Sequence, residues 1–194
     1  MNVQPSDPRQ QAILQAAWSA FATYGFRKTS MDDIARGAGM SRPALYLHYR
    51  NKEDIFRSLV AHFYDVVAAD LQSALGRDRP AADLIADAFA AQAGELTQAM
   101  LGSPHGLELL DAGSQTAADI VRAGEARLTA IYADWLARVA AAGRVRLTGP
   151  AEAVAATITA ALKGIKTTTP DVASYRARVA QLAALIGRAL TPED

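Results

Sequence analysis

Residues 29–56 read TSMDDIARGAGMSRPALYLHYRNKEDIF. Ser30 precedes Asp33 by three positions, the spacing at which a hydroxyl and a carboxylate cap a helix reciprocally, so a short helix is predicted over 31–37. Ile34 and Ala35 face inward, the small Ala35 lets a second helix approach, and Gly39 supplies the positive φ of a tight turn. Ser41 caps the next helix, over 42–48, whose first turn tolerates Pro43. This is helix-turn-helix spacing. Leu45 and Tyr49 lie four apart and face the core, which leaves Arg42, Pro43, Tyr46 and Leu47 on the outer side.

That outer side suits the major groove of a duplex. Arg42 can donate bidentately to guanine, Pro43 and Ala44 can touch a thymine methyl, and Tyr46, His48 and Lys52 can reach phosphate oxygens. Thr29 and Ser30 place a hydroxyl and unpaired N–H groups at a helix N-terminus, an anion site with Arg27 and Lys28 beside it. The candidate DNA-contact set is Lys28, Thr29, Ser30, Ser41, Arg42, Pro43, Ala44, Tyr46, Leu47, His48 and Lys52.

Gly25, Thr29-Ser30-Met31, Ile34-Ala35, Ala38-Gly39-Met40-Ser41, Leu45-Tyr46, His48-Tyr49 and Asn51-Lys52-Glu53 occur in order and without gaps. On these motifs, residues 8 to 60 resemble the DNA-binding head of the tetracycline-repressor (TetR) family of bacterial transcription regulators. Beyond them only length and helix count agree with the family's ligand-binding and dimerising body. One position departs: Asp32 stands where some family members carry a basic DNA contact, and a carboxylate there repels phosphate unless it serves as a helix-dipole partner.

Working outward, the chain reads as all-α, about nine helices, because Ala is the best helix former and Gly and Pro fall almost wholly between periodic segments. The first helix spans 8–24, with Asp7 as N-cap, Pro8 in its first turn, a stripe of Ile13, Ala17, Phe21 and Tyr24, and Gly25 as its stop. Asn51 opens a long fourth helix over 52–75, ended by Gly76. A fifth runs from Pro80 to Leu101, and a short sixth starts at Ser103-Pro104. A seventh starts at a Ser114 or Thr116 cap and reaches about 142. Gly149-Pro150 and Thr169-Pro170 introduce helices over 151–165 and 171–190. The predicted division is a helix-turn-helix head over 1–51 and a ligand-binding and dimerisation body over 52–194.

Composition agrees. The 194 residues are 51% hydrophobic and include 43 Ala but no Cys, which excludes disulfide scaffolds, thiolate metal sites and cysteine nucleophiles. Zero net charge hides a split: residues 1–63 carry 8 Lys+Arg against 5 Asp+Glu, and residues 64–194 carry 12 against 15. The front end is the part fit to face a polyanion. The polar start Met1-Asn2-Val3-Gln4-Pro5 offers no signal-peptide core, and no window reaches the ~18 apolar residues of a membrane span, so a cytoplasmic protein with no membrane partner is expected.

In the body, 151–165 carries Val154, Ala155, Ile158, Leu162 and Ile165 on one stripe, and 171–190 carries Val179, Leu182, Ala183 and Ile186. Small side chains let helices approach closely, so these stripes can meet their twofold copies in a homodimer or pack within the chain; the resemblance favours the dimer. Two heads would then read a pseudo-palindromic operator in double-stranded DNA.

The resemblance also implies a small-molecule effector. Polar His62 and Gln92 interrupt apolar stripes, and with Phe89, Met100, Tyr132 and Trp135 they form the candidate ligand set; each also has an ordinary reading as core. With few aromatics in the body, a lipophilic, weakly charged effector is expected, whose binding releases the operator. Two rivals stand beside this regulator, which is expected to be a repressor. One is a dimer without an effector, acting structurally or through a protein partner. The other is an enzyme, for which the sequence offers little: His48, His62 and His105 lack metal-ligand spacing, no phosphate-cradling loop or nucleophile elbow occurs, and Glu108 and Asp111 read as a solvated face. No cofactor or metal is expected.

Overall fold

A computed structural model describes residues 7–169 and 171–190. The polar start Met1–Pro5 and the Pro170 signal lie outside the described residues. Among them the chain forms ten helices and no strand: α1 Pro8–Tyr24, α2 Met31–Gly37, α3 Arg42–Tyr46, α4 Lys52–Leu75, α5 Ala81–Gln92, α6 Glu95–Gly102, α7 Gly106–Thr116, α8 Ala118–Ala141, α9 Ala151–Thr168 and α10 Val172–Leu190. No helix of the described residues is long and apolar enough to cross a membrane.

The chain packs as two compact units, one made of residues through Asp65 with Ala99–Arg122, the other of Val66–Gln98 with the residues from Ala123 onward. Beside the helix-turn-helix, the first unit contains the start of α4, the second half of α6, all of α7 and the start of α8.

The caps that shape the first unit are local. Asp7 accepts from Arg9 N at 2.9 Å, and Gly25, at φ 82°, closes α1 by donating to Phe21 O. Ser30 Oγ accepts from Asp33 N while Asp33 accepts from Ser30 N, the reciprocal box expected at α2. Gly39 takes φ 66° in the turn, and Ser41 Oγ accepts from Ala44 N. Asn51 Oδ1 caps α4 through Asp54 N at 2.8 Å. Ile13, Ala17, Phe21, Ile34, Leu45 and Ile55 are fully buried together, joined by Leu109 and Ala112 of α7. The rings of Phe21, Phe26 and Phe56 meet at centroid distances of 4.9–5.6 Å. Tyr24, expected on the α1 stripe, is exposed.

Three expectations about the later helices are corrected. The single helix from Pro80 to Leu101 is two, broken at Ala93-Gly94. Glycine is poorly helical by about 1 kcal/mol relative to Ala, and here side chains take over the freed carbonyls: Thr97 Oγ1 donates to Gln92 O and Gln98 Nε2 to Ala93 O. Neither Ser114 nor Thr116 caps α8; both lie in α7, where Ser114 Oγ donates back to Leu110 O. Helix α9 outruns 165 by three residues, through a turn whose Thr167 and Thr168 hydroxyls donate to Lys163 O and Gly164 O.

In the second unit, α5 crosses α10 closely enough that a Cβ on Gly187 would lie 3.1 Å from Ala82 Cβ. Tyr132, Trp135 and Leu136 of α8, Leu84, Ile85 and Phe89 of α5 and Leu71 of α4 are the largest fully buried side chains there.

Candidate nucleic-acid interface

Helix α3 is shorter than the expected 42–48. It ends at Tyr46, and a tightened last turn follows in which His48 N and Tyr49 N both donate to Leu45 O. Leu45 and Tyr49 are buried as expected, and Gln10 of α1 donates to Tyr49 Oη at 3.2 Å, pinning the far end of this turn. The rotation so fixed leaves Ser41, Arg42, Pro43, Tyr46, Leu47 and His48 exposed and Ala44 half-buried. Leu47 is 87% exposed, beside the exposed Tyr46.

Arg42 is organised rather than free. Its Nη1 lies 3.3 Å from Asp32 Oδ2, its Nη2 donates to Tyr46 Oη at 3.4 Å, and its guanidinium carbon sits 5.5 Å from the Tyr46 ring centre. The Tyr46 hydroxyl and then the Asp32 carboxylate push its pKa above the ordinary arginine range. Asp32, the position that departs from the family pattern, is the ion-pair partner of Arg42.

The side chains of two expected contacts, and part of a third, are engaged within the protein. Thr29 is buried, and its hydroxyl donates to Gly25 O at 2.7 Å and Ala20 O at 3.2 Å, so it holds the α1–α2 loop instead of offering a hydroxyl to phosphate. Lys52 Nζ donates to Phe26 O, Arg27 O and Thr29 O at 2.8, 2.9 and 3.0 Å and lies 4.9 Å from the Phe26 ring centre. An ammonium has three N–H bonds, and all three are used inside the protein. At Ser30 the anion expected on the α2 N-terminus is supplied by the chain itself, in Asp33, whose carboxyl the Ser30 hydroxyl holds below the usual range. Lys28 and Ser30 remain exposed on this loop.

Sequence reading missed the other clasp on the same loop. Glu108 of α7, read as a solvated face, accepts from Arg27 N at 2.9 Å and lies 3.1 Å from His105 Nδ1, and the Arg27 amide keeps its carboxyl acidic. The partners are 81 residues apart and no local pattern announces them. Ser103 Oγ donates to Ala22 O close by. Arg57 of α4 donates to both Asp119 oxygens at 2.7 Å and to Thr116 O.

Against known proteins, residues 13–59 match the profile described as "Bacterial regulatory proteins, tetR family". The head belongs to the tetR family. An HTH-type transcriptional regulator named EthR, from Mycolicibacterium smegmatis, is 43% identical to this chain over 54 residues, 28% of this chain and 25% of that protein. The alignments to this and the next curated relative span about a quarter to a third of those proteins' lengths. The likeness in fold is longer. A transcriptional regulator from Cytophaga hutchinsonii superposes with TM-score 0.80 at 18% identity, over 96% of this chain and all of that one. SmeT, the repressor of the Stenotrophomonas maltophilia multidrug efflux pump SmeDEF, superposes with TM-score 0.69 at 20% identity, over 95% of this chain and 91% of that one, and a second SmeT structure is a complex with triclosan.

The body candidates separate. His62 and Met100 belong to the first unit, and Phe89, Gln92, Tyr132 and Trp135 to the second. Gln92 is not awaiting a partner, since Tyr132 Oη donates to its Oε1 at 3.0 Å, and the Phe89 and Tyr132 rings pack edge to face. Burial pushes the Tyr132 hydroxyl well above the ordinary tyrosine range. Trp135 differs: its Nε1 is buried with no hydrogen-bond partner among the described residues. Of the expected dimer seam, Ala155, Ile158, Leu162, Val179 and Ala183 are buried within the chain, so these five pack intramolecularly. Val154, Ile165, Leu182 and Ile186 stay partly exposed, and Leu185 of α10 is 57% exposed.

Proposed function

We propose that this protein regulates transcription by binding a pseudo-palindromic operator as a homodimer, and that a small lipophilic effector bound in its second unit releases it. The observation that carries the DNA-binding reading is the rotation of α3: Leu45 and Tyr49 seat it on the core while Arg42, Pro43, Tyr46, Leu47 and His48 face outward. A guanidinium beside apolar and aromatic side chains matches a major-groove edge of guanine next to a thymine methyl. Lys28 and Ser30 are the accessible phosphate contacts of the flanking loop. Selection of duplexes from a random pool should enrich two half-sites about 34–36 Å apart or more, and Arg42→Ala should relax one base position at a cost of about 1–3 kcal/mol. A pool with no enriched site would refute this reading.

The dimer contact we favour uses what remains exposed: Leu185 with Leu182 and Ile186 on α10, and Val154 and Ile165 on α9. A monomer by light scattering at micromolar concentration, with and without operator, would remove it. For the effector, the buried and unpartnered Trp135 N–H supports a ligand that brings an acceptor into an apolar interior, and SmeT offers a precedent of the same fold with a bound small molecule. Release follows from linkage: a hundredfold weaker operator affinity needs only about 2.7 kcal/mol of differential ligand binding. A second reading, a dimer without effector, draws on Gln92, whose side-chain oxygen already accepts from Tyr132. A thermal-shift screen separates the two, because the second reading expects no small molecule to stabilise the protein.

A further inference from the structure

The cross-helix pair of Asp32 and Arg42 places a carboxylate on the very face that would meet a polyanion. Asp32 sits in the first turn of α2 and Arg42 opens α3, and their side chains meet at 3.3 Å while about half of each remains in solvent. Asp32 has no capping duty, since the α2 box is closed by Ser30 and Asp33. Its neighbour across the turn is the one arginine aimed outward from α3, and Tyr46 supports that arginine from the other side.

We propose that Asp32 is a specificity-determining residue that acts through Arg42, withholding the guanidinium from phosphate while leaving it available to a base edge. Phosphate carries a full charge and meets an arginine already neutralised, next to a carboxylate that repels it. A guanine edge offers two neutral acceptors, O6 and N7, which the carboxylate does not repel, and the guanidinium has donors to spare beyond the one turned to Asp32. Non-specific affinity comes almost wholly from phosphate charge, whereas specificity is the ratio of operator to non-specific binding. The pair therefore lowers the denominator more than the numerator. An exposed ion pair is weak, so Asp32 biases Arg42 without locking it, and a dimer carries the bias twice.

This inference rests on the DNA-binding reading, and its test separates the two. Full-length wild type, Asp32→Asn, Arg42→Ala and the double variant are titrated with the operator enriched by the wild type and with a scrambled duplex of equal length, from 50 to 200 mM salt. Asp32→Asn should raise affinity for the scrambled duplex by about three- to tenfold, raise operator affinity less, and steepen the salt slope by about one ion per head. In the Arg42→Ala background the same substitution should leave the ratio of operator to scrambled binding unchanged. Equal gains on both duplexes would mean simple repulsion, and a ratio change that persists without Arg42 would mean that Asp32 reads a base itself. Either pattern, or no change at all, overturns the inference while the DNA-binding reading stands. A wild type that enriches no duplex overturns both.

Discussion

Replacing Lys52 by Met keeps most of the aliphatic stem against Phe26 and deletes the ammonium that donates to Phe26 O, Arg27 O and Thr29 O. A hydrogen bond with a charged partner nets about 1.5–3 kcal/mol, but the three share one charge, and the Arg27 bond is exposed, so they do not add. We expect a loss of about 2–4 kcal/mol. For a chain of this length each kcal/mol moves the melting temperature by about 2–4 °C, which gives a fall of roughly 5–15 °C by calorimetry. Lys52→Arg should recover only part of it, because a planar guanidinium does not point three donors at carbonyls converging on one atom. Operator affinity should fall as a consequence of the loosened loop that carries Lys28 and Ser30. The opposite result is well defined: an unchanged melting temperature with affinity lost equally on every sequence, and a salt slope reduced by about one, would mean that Lys52 contacts phosphate and that the three internal bonds do not persist in solution.

Three further outcomes follow from local geometry. The two hydrogen bonds from Arg57 hold the Asp119 carboxyl down to about 2 from an ordinary 3.8, so the pair's stabilisation is complete above about pH 4 and is lost as pH falls through 2; the melting difference between wild type and Asp119→Asn should shrink over that window, and a difference constant from pH 6 to 2 would count against it. Gly106→Ala drives a Cβ into the Met100 carbonyl oxygen, a backbone atom, and should cost about 1–3 kcal/mol in urea unfolding; an unaltered midpoint would show that the α6–α7 turn yields. Ser30→Ala opens the capping box and should destabilise by about 1 kcal/mol, with Ser30→Thr restoring most of it; equal loss in both variants would put the cost elsewhere than the cap.

The legible features were those whose cause lies within a few residues. Asp7, Ser30 with Asp33, Ser41 and Asn51 each satisfy an amide two or three positions away, so their spacing announces them. Gly39 is readable for the same reason, since the turn that needs its positive φ is built from its neighbours. The break at Gly94 was visible as a lone glycine, yet what makes it a break is a pair of side-chain bonds from Thr97 and Gln98, which a periodicity argument does not weigh.

By itself, then, the amino-acid order determined the helix-turn-helix, its caps, and which side of α3 is apolar, because helix periodicity and capping are short-range. Tertiary structure alone decided where long side chains end. A lysine in a first turn looks the same whether its ammonium meets phosphate or three carbonyls about 25 residues back in the chain. Glu108 reads as solvated until Arg27 is brought beside it. The stripe of Ala155, Ile158 and Leu162 says only that one face must leave water; hydrophobic burial has no direction and does not distinguish a second copy from the same chain, so the choice of partner fell to the packing of the folded unit.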